Sequence, residues 1–228
     1  MSQGRALLLV GSPKAERSTS EIIASPMLER LQKNGMTVEK AYATRAVRSE
    51  EDMMRVIGQV DDADLIILAF PLYVDSMPAV LIKVLERIHA HRVASPIAKK
   101  QKLVAIVNCG FPEPYQNDLA VEMCRIFARQ TGIEFAGSAR IGMGPSLEGK
   151  PLRESGQAKS LIKGLEMAAG DLCRGKQIEK EALDLMSKPM MPIVLGRLMM
   201  STMGTMMWKN MMKDPEVKKK IYDRPYKA

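Results

Sequence analysis

The stretch DADLIILAFPLYVDSMPAVLIKVLERI, residues 62–88, contains the strongest strand signal in the chain and decides the fold. Residues 64–70 include a continuous apolar run, which is typical of a strand that is buried on both faces. Residues 78–91 then carry apolar side chains at helical spacing, and Pro78 favours the first turn of a helix. We therefore predict a strand, a proline-bracketed loop and a helix.

The same alternation of short apolar runs and amphipathic segments continues through most of the chain. Further strands are predicted at 5–11, 36–42, 103–108 and 133–141, and further helices at 18–35, 50–60, 117–131 and 155–173. Five such units predict an α/β fold in which helices cover both faces of a parallel sheet. We expect one domain over residues 1–175 and a helical C-terminal extension over residues 176–228.

Composition narrows the classes of protein to which the chain can belong. A net charge of +8 suits anionic ligands but is common among metabolic enzymes, and we expect no nucleic-acid partner. Cys109, Cys124 and Cys173 are widely spaced and form no CxxC pair, which argues against a disulfide framework, a zinc site or an iron–sulfur cluster. This cysteine pattern fits a reducing cytoplasm best, which is the location we expect. We find no secretory signal and no apolar stretch long enough to cross a bilayer, so we also expect a soluble protein.

The loop after the first predicted strand, GSPKAERSTS at 11–20, has the character of an anion site. Its hydroxyl side chains cluster around the start of a helix: Ser12, Ser18, Thr19 and Ser20. The N–H groups and positive dipole end of such a helix attract phosphate. A capping box formed by Ser18 and Glu21 explains part of the pattern equally well without a ligand. The loop matches neither GxxxxGK[ST] nor GxGxxG, which argues against a nucleoside triphosphate or a Rossmann dinucleotide.

Two further loops at the same predicted sheet edge are stiff and aromatic. The first holds Leu72 and Tyr73 between two prolines, and the second, NCGFPEPYQ at 108–116, holds Phe111 and Tyr115 beside Gly110. Three of the ten aromatic residues of the chain lie in these two loops. A phosphate pocket beside a flat apolar slot suits a mononucleotide with a planar ring. For the loop at 71–78 alone, packing of Tyr73 on a neighbouring helix remains the alternative.

These motifs resemble those of the flavodoxin-like NAD(P)H-dependent FMN reductases and NAD(P)H:quinone oxidoreductases. The resemblance covers about residues 4–173 and rests on GSP followed by RSTS, on FPLY followed by Pro78 and LERI, and on NCGF. It implies a doubly wound five-stranded parallel sheet of order 2-1-3-4-5. It also implies an FMN-dependent oxidoreductase that takes hydride from NAD(P)H and reduces a quinone, a flavin or another small acceptor, commonly as a homodimer or tetramer.

The resemblance also assigns residues to the cofactor. FMN would contact Ser12, Ser18, Thr19 and Ser20 at its phosphate, Pro71, Leu72, Tyr73 and Val74 along the isoalloxazine, and Asn108, Cys109, Gly110 and Phe111 at the far edge of the ring. Lys14 and Arg17 depart from the usual pattern, so the cation that meets the phosphate is left open. Because the flavin supplies the chemistry, no acid–base triad and no metal site are expected.

Two other functions remain open. A flavodoxin-type electron carrier would also bind FMN, although the charge of +8 and the extension count against it. A non-catalytic module would keep the fold without the flavin. Cys109 is expected to be a packed apolar residue rather than a nucleophile, and His89 and His91 are expected to cap carbonyls or face water.

The segment 187–213 differs from the rest of the chain because it contains nine of the 19 methionines. We predict one amphipathic helix with a methionine face. This face comprises Met199, Met200, Met203, Met206, Met207 and Met211. Three roles are open for it: packing on its own domain or on a second subunit, covering the flavin, or docking on a membrane surface with help from Trp208 and the basic tail.

Overall fold

The fold is built on five parallel strands. The computed structural model describes residues 4–149, 151–204, 206, 212, 214–220 and 223. Its strands are β1 (Arg5–Val10), β2 (Thr37–Tyr42), β3 (Leu65–Pro71), β4 (Lys102–Asn108) and β5 (Glu134–Ile141). They pair in parallel in the order β2-β1-β3-β4-β5. The predicted sheet and its strand order are therefore confirmed.

Helices cover both faces of this sheet. The covering helices are α1 (Thr19–Lys33), α2 (Ala43–Ala46), α3 (Glu50–Asp62), α4 (Ala79–Ala94), α5 (Asp118–Gln130), α6 (Lys159–Cys173) and α7 (Lys180–Met186). Two further helices, α8 (Ile193–Met199) and α9 (Pro215–Lys220), follow them in the chain. Side chains of α2 to α5 pack on one face, and those of α1, α6 and α7 pack on the other. Along β1, Leu7 and Leu9 enter the first core, whereas Leu8 and Val10 enter the second. The strand sequence is continuously apolar because both faces are covered.

The chain divides into two compact units, Met1–Met190 and Met191–Ala228. The first unit includes α7, which packs on α6 and β5. The sequence predicts a boundary between domains after residue 175. That boundary stays a prediction.

The prediction of one helix over residues 187–213 is wrong for its first six residues. Residues 187–192 are not helical, and α8 begins at Ile193 directly after Pro192. Proline disfavours helical backbone in the residue before it, so Pro189 and Pro192 account for the break. A π-helical turn, Met200–Gly204, follows α8. Of the predicted methionine face, Met207, Met211 and the side chain of Met203 lie outside the described residues, as does Trp208.

A buried polar network joins α3, α4 and Gln101, the residue before β4, at the amino end of the sheet. The Arg92 side chain, only 5% exposed, donates from Nε to Asp61 Oδ1 (2.8 Å) and from Nη2 to Gln101 Oε1 (2.7 Å). Gln101 Nε2 in turn donates to the carbonyl oxygens of Val60 and Ala63. These bonds satisfy a cation that is otherwise costly to bury.

His91 extends the same network, because its Nε2 lies 2.9 Å from Asp61 Oδ2. The expectation that His91 caps a carbonyl or faces water is therefore wrong. Asp61 and His91 are 30 positions apart in the sequence, and helical spacing within α4 gives no signal of this tertiary contact.

Candidate functional site

Hydrogen bonds hold the loops that follow the strands at one edge of the sheet. The Gly11 N–H donates to the carbonyl of Ala69 (2.8 Å), next to the end of β3. The Leu72 N–H donates to the Asn108 carbonyl (2.7 Å), and the Cys109 N–H donates to the Ile141 carbonyl (2.9 Å). These loops therefore begin side by side at the carboxyl ends of the strands, where open parallel sheets bind ligands.

The loop at 11–18 presents an anion-binding helix terminus. Ser12, Ser18 and Ser20 are at most 4% exposed, and Thr19 is half-buried beside them. The Ser18 hydroxyl accepts the N–H of Glu21 (3.4 Å), so Ser18 caps α1. The N–H groups of Thr19 and Ser20 have no hydrogen-bond partner among the described residues. Two helix donors are thus left for an anion at the buried end of α1.

The carboxylate of Glu21 holds the loop at 11–18 in place through hydrogen bonds. It does not complete the predicted capping box by accepting the N–H of Ser18. Its Oε2 accepts the N–H of Arg17 (2.8 Å), a residue held at a φ of 56°. Its Oε1 accepts Lys40 Nζ (2.8 Å) and the Tyr42 hydroxyl (3.2 Å) from β2. The left-handed conformation at Arg17 is thereby fixed by a side chain four residues further along the chain.

This network shifts the pKa values of Glu21 and Tyr42. Burial raises the pKa of Glu21, but hydrogen bonds from Lys40 Nζ and the Arg17 N–H outweigh it and hold the pKa below its ordinary value. Burial and the nearby Glu21 carboxylate raise the pKa of Tyr42 to about 12. The stability contributed by neutral Tyr42 is thus fully present below pH 10 and lost as the pH rises towards 12. That contributed by ionised Glu21 is lost as the pH falls through its depressed pKa.

Replacing Glu21 with glutamine is expected to lower the Tyr42 pKa from about 12 towards 10, because an amide does not repel the phenolate. Ultraviolet titration of tyrosinate absorbance measures the shift. The transition that disappears in Tyr42→Phe is assigned to Tyr42. An unchanged Tyr42 transition in Glu21→Gln would contradict the network.

The two cations of the loop have different surroundings. Lys14 Nζ pairs with the carboxylate of Glu148, beyond β5. Arg17 is exposed, and its guanidinium has no ion pair within the described ranges. Arg17 is therefore the cation that is left for an anion at the start of α1.

The loop at 71–78 closes with a tight turn at the rim of the site. Tyr73 and Ser76 exchange backbone hydrogen bonds of 2.9 and 3.1 Å. The two residues between them, Val74 and Asp75, have φ values of 49° and 58°, as in a type I′ turn. A β-branched residue is strained in this conformation. Val74 is nevertheless 98% exposed, so packing within the chain does not explain the valine.

The loop at 108–117 has a buried base and an exposed surface. Asn108 Nδ2 donates to Ser20 Oγ (2.8 Å) and to the Phe70 carbonyl (3.2 Å), which ties α1 to β3 and β4. Cys109 is 4% exposed, and its sulfur receives a weak bond from Asn117 Nδ2. Asn108 and Cys109 therefore support the loop from below. Gly110 and Phe111 form its exposed surface.

Cys109 has the surroundings of a structural residue. Burial raises the pKa of its thiol, although hydrogen bonding with the Phe111 backbone and from Asn117 Nδ2 acts in the opposite direction. A thiol kept protonated is a poor nucleophile. The interpretation of Cys109 as a small packed residue agrees with this environment.

The loop that follows β5, residues 142–148, supports the candidate site through hydrogen bonds. We did not predict it from the sequence. The N–H of Met143 donates to the Phe111 carbonyl (2.7 Å), and that of Gly144 donates to the Cys109 carbonyl (2.8 Å). A Cβ atom on Gly144 would lie 2.6 Å from Asn108 Oδ1, so only glycine permits this approach. The signal was the run GMGP directly after β5, whose two glycines indicate close backbone contact.

A separate cleft of about 990 Å³ lies along the outer edge of β5, between α5 and α7. Three of its cations are already paired with carboxylates: Arg125 with Glu122, Arg140 with Asp118, and Lys180 with Asp184. Those pairs weaken its attraction for an anion. We therefore locate the candidate site at the loops, where the N–H groups of Thr19 and Ser20 and the Arg17 guanidinium have no such partners in the part of the chain that the structure describes.

A family model described as a flavodoxin-like fold matches residues 4–141. The chain belongs to this flavodoxin-like family. The match ends with β5, so it includes the loops that follow β1, β3 and β4 but not the loop at 142–148. The predicted flavodoxin-like family and fold class are confirmed. No protein of curated function matches the sequence.

Solved structures of flavodoxin-like proteins are similar in fold at low sequence identity. An FMN-dependent NADH-azoreductase from Bacillus anthracis, in complex with FMN, has a TM-score of 0.54 and 15% identity, with 75% of this chain and 100% of that chain covered. An NAD(P)H:quinone oxidoreductase from Methanothermobacter marburgensis has a TM-score of 0.54 and 16% identity, with 76% and 96% covered. A rubredoxin oxygen:oxidoreductase from Desulfovibrio gigas has a TM-score of 0.53 and 12% identity. This chain aligns over 76% of its own length with that protein but spans only 36% of it.

Proposed function

We propose that the chain is an FMN-dependent oxidoreductase that takes hydride from NADH or NADPH and reduces a quinone, a flavin or another small acceptor. One observation carries the proposal. The unpartnered N–H groups at the start of α1 lie at the same sheet edge as a rim of exposed apolar side chains. A phosphate and a planar ring need this combination. The FMN and NAD(P)H in the names of the similar structures support it.

At the phosphate end, the donors belong to one loop. The N–H groups of Thr19 and Ser20 are aimed from the helix terminus, and the hydroxyls of Ser12 and Ser18 lie beside them. Because Glu21 and Asn108 already hold this loop in place, little conformational entropy is lost when an anion binds. The donor set therefore fits a phosphate monoester.

At the ring end, the contact surface is apolar and stiff. Tyr73, Val74 and Phe111 are 49%, 98% and 48% exposed, and the hydrogen-bonded turn at Tyr73 and Ser76 restricts the first two. A flat ligand placed here covers apolar area that is otherwise in water. This contact explains why a strained position is occupied by an exposed valine.

In this proposal the cofactor and the chain have separate roles. FMN, when bound, supplies hydride and electron chemistry. The chain binds the phosphate, orients the ring between the loops at 71–78 and 108–117, and keeps the Cys109 thiol out of the reaction. No side chain is assigned a proton-transfer role. In this proposal Asn108 and Cys109 shape the far edge from beneath, while Gly110 and Phe111 meet the ligand.

Arg17→Gln is expected to weaken FMN binding by roughly 10- to 100-fold, because a charge-assisted hydrogen bond to the phosphate contributes about 1.5–3 kcal/mol. Riboflavin lacks the phosphate, so its affinity should not change. Lys14→Gln is the matched control, since Lys14 already pairs with Glu148. Fluorescence titration with both flavins measures the effect. Equal losses for FMN and riboflavin would show that Arg17 does not meet the phosphate.

The function itself is tested by an absorption spectrum after FMN is added and the protein is desalted, followed by anaerobic stopped-flow mixing with NADPH and with NADH. Retained flavin bands that bleach rapidly with either nucleotide are the expected result. Retained flavin without rapid bleaching would indicate an electron carrier. A protein that takes up no FMN would be a non-catalytic module and would overturn the proposal.

A further inference from the structure

Helix α8, in the second compact unit, exposes a cluster of large apolar side chains. Val194, Leu195 and Leu198 are 80%, 48% and 60% exposed. Val194 and Leu198 are one helical turn apart, so both project from the same side of α8, and Leu195 lies next to them. Met200, 40% exposed, follows at the start of the π-helical turn. We call Val194, Leu195 and Leu198 the α8 apolar surface.

Apart from the exposed Arg197, the remaining side of α8 is apolar too. Gly196 is buried, and Ile193 and Met199 are partly buried. A helix whose side chains are apolar except for one basic residue is suited to a lipid surface, with the basic residue at the headgroups. The hydroxyl donors next to α8 are already bonded within the chain. Ser201 Oγ and Thr202 Oγ1 both donate to the Leu198 carbonyl, at 3.1 and 2.9 Å. The α8 apolar surface is therefore suited to an apolar environment.

The second compact unit carries an excess of positive charge. Residues 191–228 contain eight lysines and arginines and three acidic residues, which gives +5 of the net +8 of the whole chain. Arg197 is exposed on α8, and Lys219, which pairs with Glu216, and Lys220 are exposed on α9. Such a combination of apolar side chains and basic residues favours an anionic lipid surface.

We propose that the α8 apolar surface docks on the surface of a membrane that contains anionic lipids. The charge favours this partner over a second copy of the chain, because two units of +5 repel each other. None of the described helices is long and apolar enough to cross a membrane. The contact is therefore peripheral, with the apolar side chains at the acyl boundary and the basic ones at the headgroups. This inference does not depend on the proposed oxidoreductase function.

Co-sedimentation of the full chain with vesicles tests the proposal. We expect at least about tenfold stronger binding to phosphatidylcholine vesicles that contain phosphatidylglycerol than to phosphatidylcholine alone, because several basic residues approach the headgroups. High salt should reverse most of this gain. The only tryptophan of the chain, Trp208, belongs to the same segment by sequence, so its fluorescence emission should shift to the blue on binding.

Two substitutions separate docking from charge alone. Leu195→Gln combined with Leu198→Gln should reduce vesicle binding about tenfold or more, since two apolar anchors are lost. Both sites are exposed, so folding should be retained. Val93→Gln, on the 66% exposed Val93 of α4, is the matched control and should bind as the wild type does. Equal binding to both vesicle types would overturn the proposal. So would a concentration-dependent dimer, seen by sedimentation velocity, that the double substitution abolishes without any vesicle binding.

Discussion

Replacing Gly110 with leucine is expected to weaken FMN binding roughly 10- to 100-fold and to leave the thermal unfolding of the flavin-free protein unchanged. Gly110 is exposed, its φ is not in the left-handed region, and a Cβ built on it meets no atom within 4 Å. The chain alone therefore has room for a leucine side chain. In our proposal the far edge of the flavin occupies that space, and such overlap costs about 1–3 kcal/mol.

Gly58→Leu is the matched control for this experiment. Gly58 lies in α3, is exposed and also has open space at its Cβ position. Leucine there should leave the FMN dissociation constant unchanged and stabilise α3 by about 0.5–1 kcal/mol, because glycine is costly inside a helix. Fluorescence titration and thermal melts of both variants give the comparison. Wild-type affinity in Gly110→Leu would mean that no ligand approaches Gly110.

The sequence predicts the fold well because its main signals are local. The run at 65–70 is apolar on both sides of the strand, and β3 is buried on both sides in the structure. The boundaries of α1 were equally clear, since Ser18 caps one end and Gly35, at a φ of 88°, follows the other. Propensity and patterning agreed with the tertiary structure at each of these positions.

Candidate site residues could be predicted to the level of the loop but not of the individual atom. Sequence motifs placed Asn108 and Gly110 in one loop, and the topology of the sheet determined which edge that loop occupies. The motifs could not show that the Asn108 amide is directed to Ser20, 88 positions away. Nor could they distinguish Lys14 from Arg17, because the partner of Lys14 is Glu148, beyond β5. Such contacts depend on three-dimensional register, which residue spacing does not encode.

Replacing Asp61 with asparagine is expected to produce the largest loss of stability among these variants, about 3 kcal/mol. Asp61 is the carboxylate that compensates the buried Arg92 guanidinium, and it also contacts His91. Removing one partner of a buried ion pair leaves an uncompensated charge, which typically costs about 3–5 kcal/mol. We expect the lower end of that range, because the Asp61 side chain is 23% exposed and water can partly screen Arg92.

Asp62→Asn, one residue further along α3, distinguishes burial from charge. The Asp62 side chain is 65% exposed and pairs with the exposed Arg5, so its loss should cost less than about 1 kcal/mol. Urea unfolding of the two flavin-free variants at neutral pH gives both values, provided that the slopes remain equal. A small and equal effect at the two positions would mean that water reaches Arg92 in the folded protein. If Asp61→Asn alone is strongly destabilised, the network stabilises the amino end of the sheet, on the opposite side from the candidate site. Its FMN affinity measured below the unfolding transition should then equal that of the wild type.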